Sequence, residues 1–187
     1  MSKPLLIIIS GLPCTGKTTL GRKIAEKFCL PFFSKDDIKE SLFDDLGWSD
    51  RIWSKKLSRA SLNLIYYISK TLLLSKSSLI IEGNFRPETE NERFLNLMSK
   101  FDFEPLQIIC KANGEILFQR FKDRWKSGRR HPGHVDDSTS DELKSELLKG
   151  RIDNLNIGGK VFDIDTTDFN TIDYDKLFSA IKSATNR

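Results

Sequence analysis

The sequence GLPCTGKTT at residues 11–19 constrains the fold more than any other part of the chain. It fits the pattern G-x-x-x-x-G-K-[ST] and follows the apolar run LLIII. It precedes Leu20, Ile24 and Phe28, which recur every fourth residue, as on one face of a helix. A glycine-rich turn between a strand and a helix aims backbone N–H groups and the positive end of the helix dipole at one point. The stretch therefore predicts a phosphate-binding loop.

Two residues at the end of this loop have separate roles in binding a nucleotide. Lys17 is expected to reach the β and γ phosphates, and the Thr18 hydroxyl is expected to bind Mg²⁺. Cys14 occupies a position where glycine is more usual in this motif. We interpret it as a small residue that fits the loop, in preference to a redox switch.

Strand and helix patterns alternate along all 187 residues, which predicts a single domain with a mainly parallel sheet and helices on its faces. The predicted strands are LLIIIS, LPFFS, SSLIIEGN, LQIICK and KVFDID. The predicted helices follow the phosphate-binding loop and span about 36–46, 50–75, 87–100, 113–127 and 139–149, with a last helix from about residue 172.

Composition and charge exclude several classes of protein. Hydrophobic residues make up 39% and charged residues 30%, and no stretch reaches membrane-spanning length. The net charge of +4 is too small and too dispersed to predict stable duplex DNA binding. Cys14, Cys29 and Cys110 are widely spaced, and neither a third histidine nor a nearby cysteine accompanies His131 and His134, so neither disulfides nor zinc are predicted. We expect a cytoplasmic protein with no membrane partner.

Acidic residues follow two of the predicted strands, at the edge of a parallel sheet where ligands bind. Asp36 and Asp37 come directly after the second strand. One aspartate can accept the proton of an attacking hydroxyl, and one can cap the next helix, so we assign catalysis to Asp36 and capping or a first-turn position to Asp37. Glu82 is either a ligand near the metal or simply the first polar residue after a buried strand. Asn84 and Arg86, in the same loop, can contact an acceptor.

A basic run leads into the polar segment RWKSGRRHPGHVDDSTS. Arg120 and Arg124 lie one helical turn apart, and the run also contains Lys122, Lys126, Arg129 and Arg130. One interpretation is a solvated helix end. We favour an exposed, mobile lid near residues 120–137 whose arginines, Arg124 above all, stabilise the charge of phosphoryl transfer. The predicted nucleotide-binding residues are Gly11, Leu12, Pro13, Cys14, Thr15, Gly16, Lys17, Thr18, Thr19, Arg120 and Arg124.

The segments SGLPCTGKTTL, SKDDIKESL, LIIEGNF and LFQRFKDRWKSGRRHPGH together resemble the P-loop kinases that act on small molecules and nucleic acids. This group contains polynucleotide kinase, chloramphenicol phosphotransferase, gluconate kinase and the zeta toxins. The resemblance covers nearly the whole chain and implies a three-layer P-loop NTPase fold, an ATP- and Mg²⁺-dependent kinase and a lid. SKDDIKE is most similar to polynucleotide kinase, which implies that Asp36 is the general base and Lys39 a substrate contact.

The resulting hypothesis is a kinase that transfers the γ-phosphoryl group of ATP to a hydroxyl of a small molecule or of a nucleic-acid 5′ end. Two alternatives stay open, an ATP-binding regulator without an acceptor and a protein that binds nucleic-acid ends. The motifs do not identify the acceptor, because kinases of this fold share the donor site and differ in the acceptor pocket. The predicted site residues are Lys17, Asp36 and Arg124 for catalysis; Asp36, Lys39, Asn84 and Arg86 for the acceptor; and Thr18 and Glu82 for the metal.

Overall fold

Five parallel strands form the centre of the structure, a computed structural model that describes residues 3–128, 130–135 and 140–185. Their order across the sheet is β2-β3-β1-β4-β5. The strands are β1 (Leu5–Gly11), β2 (Phe32–Ser34), β3 (Leu79–Glu82), β4 (Glu104–Lys111) and β5 (Lys160–Asp165). Because all pairs are parallel, the carboxyl ends of the strands meet at one edge of the sheet.

Helices cover both faces of the sheet. They are α1 (Lys17–Phe28), α2 (Lys35–Leu46), α3 (Arg51–Leu74), α4 (Pro87–Lys100), α5 (Gly114–Lys126), α6 (Ser140–Leu147) and α7 (Tyr174–Thr185). Within the described ranges, no helix is both long and apolar enough to cross a membrane.

The central strand β1 shows why the sheet needs helices on both sides. Side chains alternate between the faces of a strand. Ile7 and Ile9 accordingly pack in one cluster with residues of α1 and α7, whereas Leu6 and Ile8 pack in another with residues of α3 and α4. Both faces of β1 are therefore buried, which explains its unbroken apolar sequence. The three-layer α/β prediction is confirmed.

The strand register places the polar ends of the strands side by side. Ile9 of β1 is level with Glu82 of β3, and Ser34 of β2 is level with Glu82 on its other side. The chain leaves β1 at Gly11 and turns directly into the loop that precedes α1. The sheet thus brings the phosphate-binding loop, Glu82 and the start of α2 to a common edge.

One expectation about the polar segment after α5 is wrong in its described part. The composition predicts an exposed segment, yet Gly133 and His134 are buried and the His131 ring stacks on Phe43 of α2 at 5.0 Å between centroids. A Cβ on Gly133 would lie 2.7 Å from the Phe43 ring, so a glycine permits this close approach. The polar composition of the segment gave no indication of this contact between His131 and Phe43. Residues 129, 136 and 137 of the predicted lid lie outside the described residues.

Candidate functional site

The phosphate-binding loop has backbone angles that its sequence helps to explain. Gly16 has φ +78°, and a Cβ there would lie 2.6 Å from the ring of Phe169, so this position requires glycine. Cys14 also has a positive φ, 67°. A left-handed backbone costs a residue other than glycine about 1 kcal/mol, which is the physical reason that glycine is more usual at this position.

The polar floor of the site is a cluster of four side chains in mutual contact: Lys17, Thr18, Ser34 and Glu82. The Thr18 hydroxyl donates to Glu82 Oε2 at 3.0 Å, and the Ser34 hydroxyl donates to the same oxygen at 2.8 Å. Lys17 Nζ donates to the Leu12 carbonyl at 2.9 Å and lies 4.0 Å from Glu82 Oε1. Burial raises the pKa of Glu82, and the charge of Lys17 opposes the rise.

This donor set suits Mg²⁺. The ion prefers oxygen ligands and binds through one or two protein oxygens together with phosphates and waters. A hydroxyl and a carboxylate 3.0 Å apart, beside the phosphate-binding loop, supply such oxygens. Thr18 and Glu82, the two residues predicted to bind the metal, are therefore brought together.

Asp36 lies in the first turn of α2 and faces the segment after α5. Its Oδ2 accepts a hydrogen bond from Arg130 Nη2 at 2.9 Å, and Lys35 Nζ lies 3.6 Å from its Oδ1. Burial alone would raise the pKa of Asp36, but the charges of Arg130 and Lys35 hold it well below its ordinary value. The carboxyl is therefore ionised at neutral pH.

Asp37 has a different environment from Asp36. It is exposed and forms an ion pair with Arg22 of α1 at 2.9 Å. Neither aspartate caps α2, because Ser34 holds that position and its hydroxyl accepts from the Asp37 backbone N–H. The capping interpretation is wrong, whereas the first-turn position of Asp37 is confirmed.

A chain of hydrogen bonds begins at Asp36 of α2, passes through Arg130 and His134 in the segment after α5, and ends at Glu40 of α2. Arg130 Nη2 lies 2.9 Å from His134 Nδ1, and His134 Nε2 lies 2.9 Å from Glu40 Oε1. Because a guanidinium only donates, Nδ1 must accept, and Nε2–H donates to Glu40. Burial lowers the pKa of His134, consistent with this neutral tautomer. Arg130 is thereby held on Asp36.

The two predicted arginines of α5 both line the cavity, in different settings. Arg120 donates to the carbonyls of Thr166 and Thr167 at 2.9 and 2.8 Å, and its guanidinium lies 4.1 Å from the centre of the Phe169 ring. Arg124 lies 5.7 Å from the centre of the Phe121 ring. Arg120 is therefore anchored by backbone carbonyls of the segment after β5.

The residues predicted to contact an acceptor line the same cavity. Lys39 is 4% exposed and donates to the Ser54 hydroxyl at 2.8 Å, Asn84 is half-buried, and Arg86 donates to Glu146 of α6. All three predicted residues line the cavity that contains Asp36.

A single cavity of about 660 Å³ unites these groups. Of the predicted residues, Gly11, Leu12 and Thr15 do not line it, because they are buried at the back of the loop. The others do line it: Pro13, Cys14, Gly16, Lys17, Thr18, Thr19, Asp36, Lys39, Glu82, Asn84, Arg86, Arg120 and Arg124. Sequence reasoning missed several further lining residues, namely Glu40, Arg51, Ser54, Lys55, Ser58, Glu146 and Phe169.

The parallel sheet, the loop before α1 and the polar floor beside it define a P-loop NTPase. Comparison with known families agrees, because the AAA domain family matches residues 6–148, most of the chain. The chain belongs to this family. No curated protein matches its sequence.

Solved structures show the same architecture. A predicted kinase from Chloroflexus aurantiacus J-10-fl is 39% identical, with a TM-score of 0.91 and coverage of 98% of this chain and 99% of that chain. A gluconokinase from Sinorhizobium meliloti 1021 is 14% identical, with a TM-score of 0.56 and coverage of 100% and 97%. A chain of the Pnkp1/Rnl/Hen1 RNA repair complex is 16% identical, with a TM-score of 0.52 and coverage of 84% and 50%. The last two similarities concern the fold alone.

Proposed function

We propose that this protein is a kinase that transfers the γ-phosphoryl group of ATP to a hydroxyl group. The observation that carries the proposal is that Asp36, an ionised carboxylate, lies in the same cavity as Lys17 and Thr18 of the phosphate-binding loop. Phosphoryl transfer needs a nucleoside triphosphate and a group that positions an attacking hydroxyl in one enclosed site. The 39% identity to a predicted kinase supports the same conclusion.

On the donor side, each group has a defined task. The loop amides and Lys17 would hold the phosphates, and Thr18 and Glu82 would hold Mg²⁺, which would supply positive charge to neutralise the phosphates. The Phe169 ring, with Arg120 over it, offers a flat surface on which a base can stack. Arg124, further along α5, supplies positive charge to the transferring group.

On the acceptor side, Asp36 accepts the hydrogen bond of the attacking hydroxyl and receives its proton as the new O–P bond forms. Because the transition state of phosphoryl transfer is loose, proton transfer is needed only late, and orientation of the hydroxyl is the larger contribution. The segment around Arg130 and His134 packs against Asp36 through the Arg130 hydrogen bond, and His134 itself is buried. We therefore propose that residues 120–137 act as a lid.

The cavity volume favours a small acceptor. About 660 Å³ lies within the range of pockets for single small ligands, and here it must hold both the nucleotide phosphates and the acceptor. A nucleic-acid 5′ end remains an outcome of the test below. An ionised carboxylate in the same cavity as the phosphate-binding loop favours a kinase over a regulator without an acceptor.

The test compares the neighbouring substitutions Asp36→Asn and Asp37→Asn. Production of ADP and of phosphorylated product is followed with sugars, nucleosides, antibiotics and 5′-hydroxyl oligonucleotides as acceptors. Asp36→Asn should lower kcat with the active acceptor by about 10²-fold and spare ATP affinity, because it removes the base and keeps the shape. Asp37→Asn is the matched control, since Asp37 is exposed on the same turn.

Equal and minor effects of the two substitutions would contradict the role of Asp36. Nucleotide binding without phosphoryl transfer to any acceptor would favour the regulator. Transfer confined to oligonucleotides, with steep salt dependence, would establish a nucleic-acid substrate.

A further inference from the structure

Ser34 lies behind the wall of the cavity, at the point where β2 ends and α2 begins. Its side chain is buried and does not line the cavity, so a nucleotide or an acceptor bound there would not touch it. The register of the sheet places Ser34 level with Glu82 of β3. A residue in this position acts on the site through the groups that it contacts.

The Ser34 hydroxyl makes two hydrogen bonds, and they reach two different parts of the site. It donates to Glu82 Oε2 at 2.8 Å, and it accepts from the backbone N–H of Asp37 at 3.4 Å. The first bond reaches the carboxylate assigned to the metal. The second reaches the first turn of α2, which carries Asp36. One buried hydroxyl therefore joins the two carboxylates on which the proposed transfer depends.

The chemistry of these two bonds explains why a hydroxyl is suited to position 34. The residue that caps the start of a helix must accept a hydrogen bond, and aspartate does this as well as serine. An ionised carboxylate such as that of Glu82 only accepts, so its partner must donate. An ionised aspartate at position 34 would cap α2 but could not donate to Glu82. The Ser34 hydroxyl does both.

The bond from Ser34 also fixes how the Glu82 carboxylate is turned. Glu82 Oε2 accepts from both Ser34 and Thr18, whereas Oε1 lies 4.0 Å from Lys17 Nζ. Rotation of the carboxylate would break both bonds to Oε2. Groups that hydrogen-bond to a metal ligand commonly orient it in this way. Ser34 thus holds Glu82 in a fixed orientation beside the phosphate-binding loop.

We propose that Ser34 is a positioning residue that couples the metal site at Glu82 to the alignment of Asp36. The proposal rests on the proposed kinase function, in which Glu82 holds Mg²⁺ and Asp36 accepts the substrate hydroxyl. A Glu82 carboxylate that is fixed by the ion also fixes the Ser34 hydroxyl. The bond from the Asp37 amide to Ser34 is long at 3.4 Å and can then shorten. The first turn of α2, and Asp36 with it, is therefore held more firmly when the metal is bound.

The first experiment measures how much Mg²⁺ strengthens nucleotide binding, and it needs no acceptor. The affinity for the non-hydrolysable analogue AMP-PNP is measured by calorimetry in excess EDTA and again in excess Mg²⁺. The ratio of the two affinities is the gain from the metal. Ser34→Ala and Ser34→Gly should reduce this gain by about tenfold, because each removes the group that orients Glu82. Their affinity in EDTA should match that of the wild type.

These two variants and one control separate positioning from helix capping. Ser34→Ala removes both the cap and the bond to Glu82. Ser34→Gly also removes the bond to Glu82, but glycine caps a helix nearly as well as serine. Ser41→Ala removes a hydroxyl from an exposed position of α2 that does not line the cavity. A residue that only caps α2 would make Ser34→Gly resemble the control, whereas coupling makes it resemble Ser34→Ala.

Hydrogen exchange of the Asp37 amide gives a second readout, which a purely structural cap would not produce. With AMP-PNP bound, addition of Mg²⁺ should slow this exchange by at least about threefold in the wild type and in Ser41→Ala. In Ser34→Gly the amide has no hydroxyl to bond, so Mg²⁺ should leave its exchange unchanged. NMR spectroscopy resolves the single amide.

Failure of this coupling and failure of the kinase can be told apart. A gain from Mg²⁺ in Ser34→Gly equal to that of the control would overturn the role of Ser34 alone. So would loss of AMP-PNP binding by Ser34→Gly in EDTA, or an effect of Mg²⁺ on the Asp37 amide that is absent from the wild type or equal in Ser34→Gly. Wild type that binds no AMP-PNP, or binds it with no gain from Mg²⁺, would overturn both proposals.

Discussion

The two halves of the cavity are built from different parts of the protein chain. The donor half is centred on backbone, in a short loop between β1 and α1 whose shape depends on Gly16, and side chains such as Lys17 and Thr18 surround it. The acceptor half is made by side chains of α2, α3 and the segment after α5, joined by ion pairs such as Arg130 with Asp36. A backbone site tolerates little change in sequence, whereas a side-chain site can be altered one residue at a time.

This difference between the donor half and the acceptor half predicts which substitutions affect every acceptor and which affect only some. Changes in the donor half should affect every acceptor equally, because all acceptors receive the same phosphoryl group. Changes in the acceptor half should affect acceptors unequally, or should alter stability with little effect on nucleotide binding. The following predictions test that division, in order of decreasing expected effect.

Lys17→Ala should lower turnover with any acceptor by at least about 10³-fold and should weaken Mg·ATP binding, because it removes the cation that holds the β and γ phosphates. Lys23→Ala is the matched control, on an exposed position of the same helix. Initial rates and nucleotide titrations measure the effect, and circular dichroism checks the fold. Turnover of Lys17→Ala equal to that of the control would show that the donor half is assigned incorrectly.

Arg124→Ala should lower kcat by about 10²-fold while the Kd for Mg·AMP-PNP changes little, since its charge acts mainly on the transition state. Lys126→Ala, at the exposed end of α5, serves as the control. Steady-state kinetics and nucleotide titration separate the two quantities. If Arg124→Ala behaves like the control, the basic run is only a solvated helix end.

Lys39→Met tests the acceptor half through stability. The pKa of Lys39 is about 7 in the folded protein and 10.5 for an ordinary lysine, so between these values the unfolded chain binds more protons. Stability of the wild type must therefore rise with pH in this window. Relative to Lys39→Met, its free energy of unfolding should increase by about 1.5 kcal/mol from pH 7 to pH 8.5.

Urea titrations of both proteins at the two pH values measure this change, and Lys56→Met controls for the loss of an exposed charge on α3. A constant difference between wild type and Lys39→Met at both pH values would show that Lys39 keeps an ordinary pKa.

The difference between the two halves of the cavity also explains which features could be predicted from the sequence. The phosphate-binding loop, the sheet with its helices, and the position of Asp36 follow from patterns within a few neighbouring residues. The contacts of Arg130 with Asp36 and of His134 with Glu40 each join residues 94 positions apart, and no local pattern encodes them.

The position of α3 in the cavity wall was missed for a related reason. The buried side of α3 contains three serines, and Leu64 is 40% exposed, so the apolar spacing of this helix does not show which side is buried. That Arg51 and Lys55 line a cavity depends on how α3 packs against α2, and the contact between Lys39 and Ser54 shows that packing. A buried side that contains serines gives no clear apolar stripe from which this environment could be predicted.

The contact between Gly16 and Phe169 sets a lower limit on the length of a functional fragment. The family match ends at residue 148, before β5 and the segment that carries Phe169. A protein truncated there would keep the whole phosphate-binding loop, yet it would lose the ring beside Gly16, the carbonyls that hold Arg120 and the strand that covers the edge of β4. An uncovered strand edge invites aggregation. The smallest unit that folds and binds nucleotide must therefore extend through α7, whose Leu177 and Ile181 complete the core on β1.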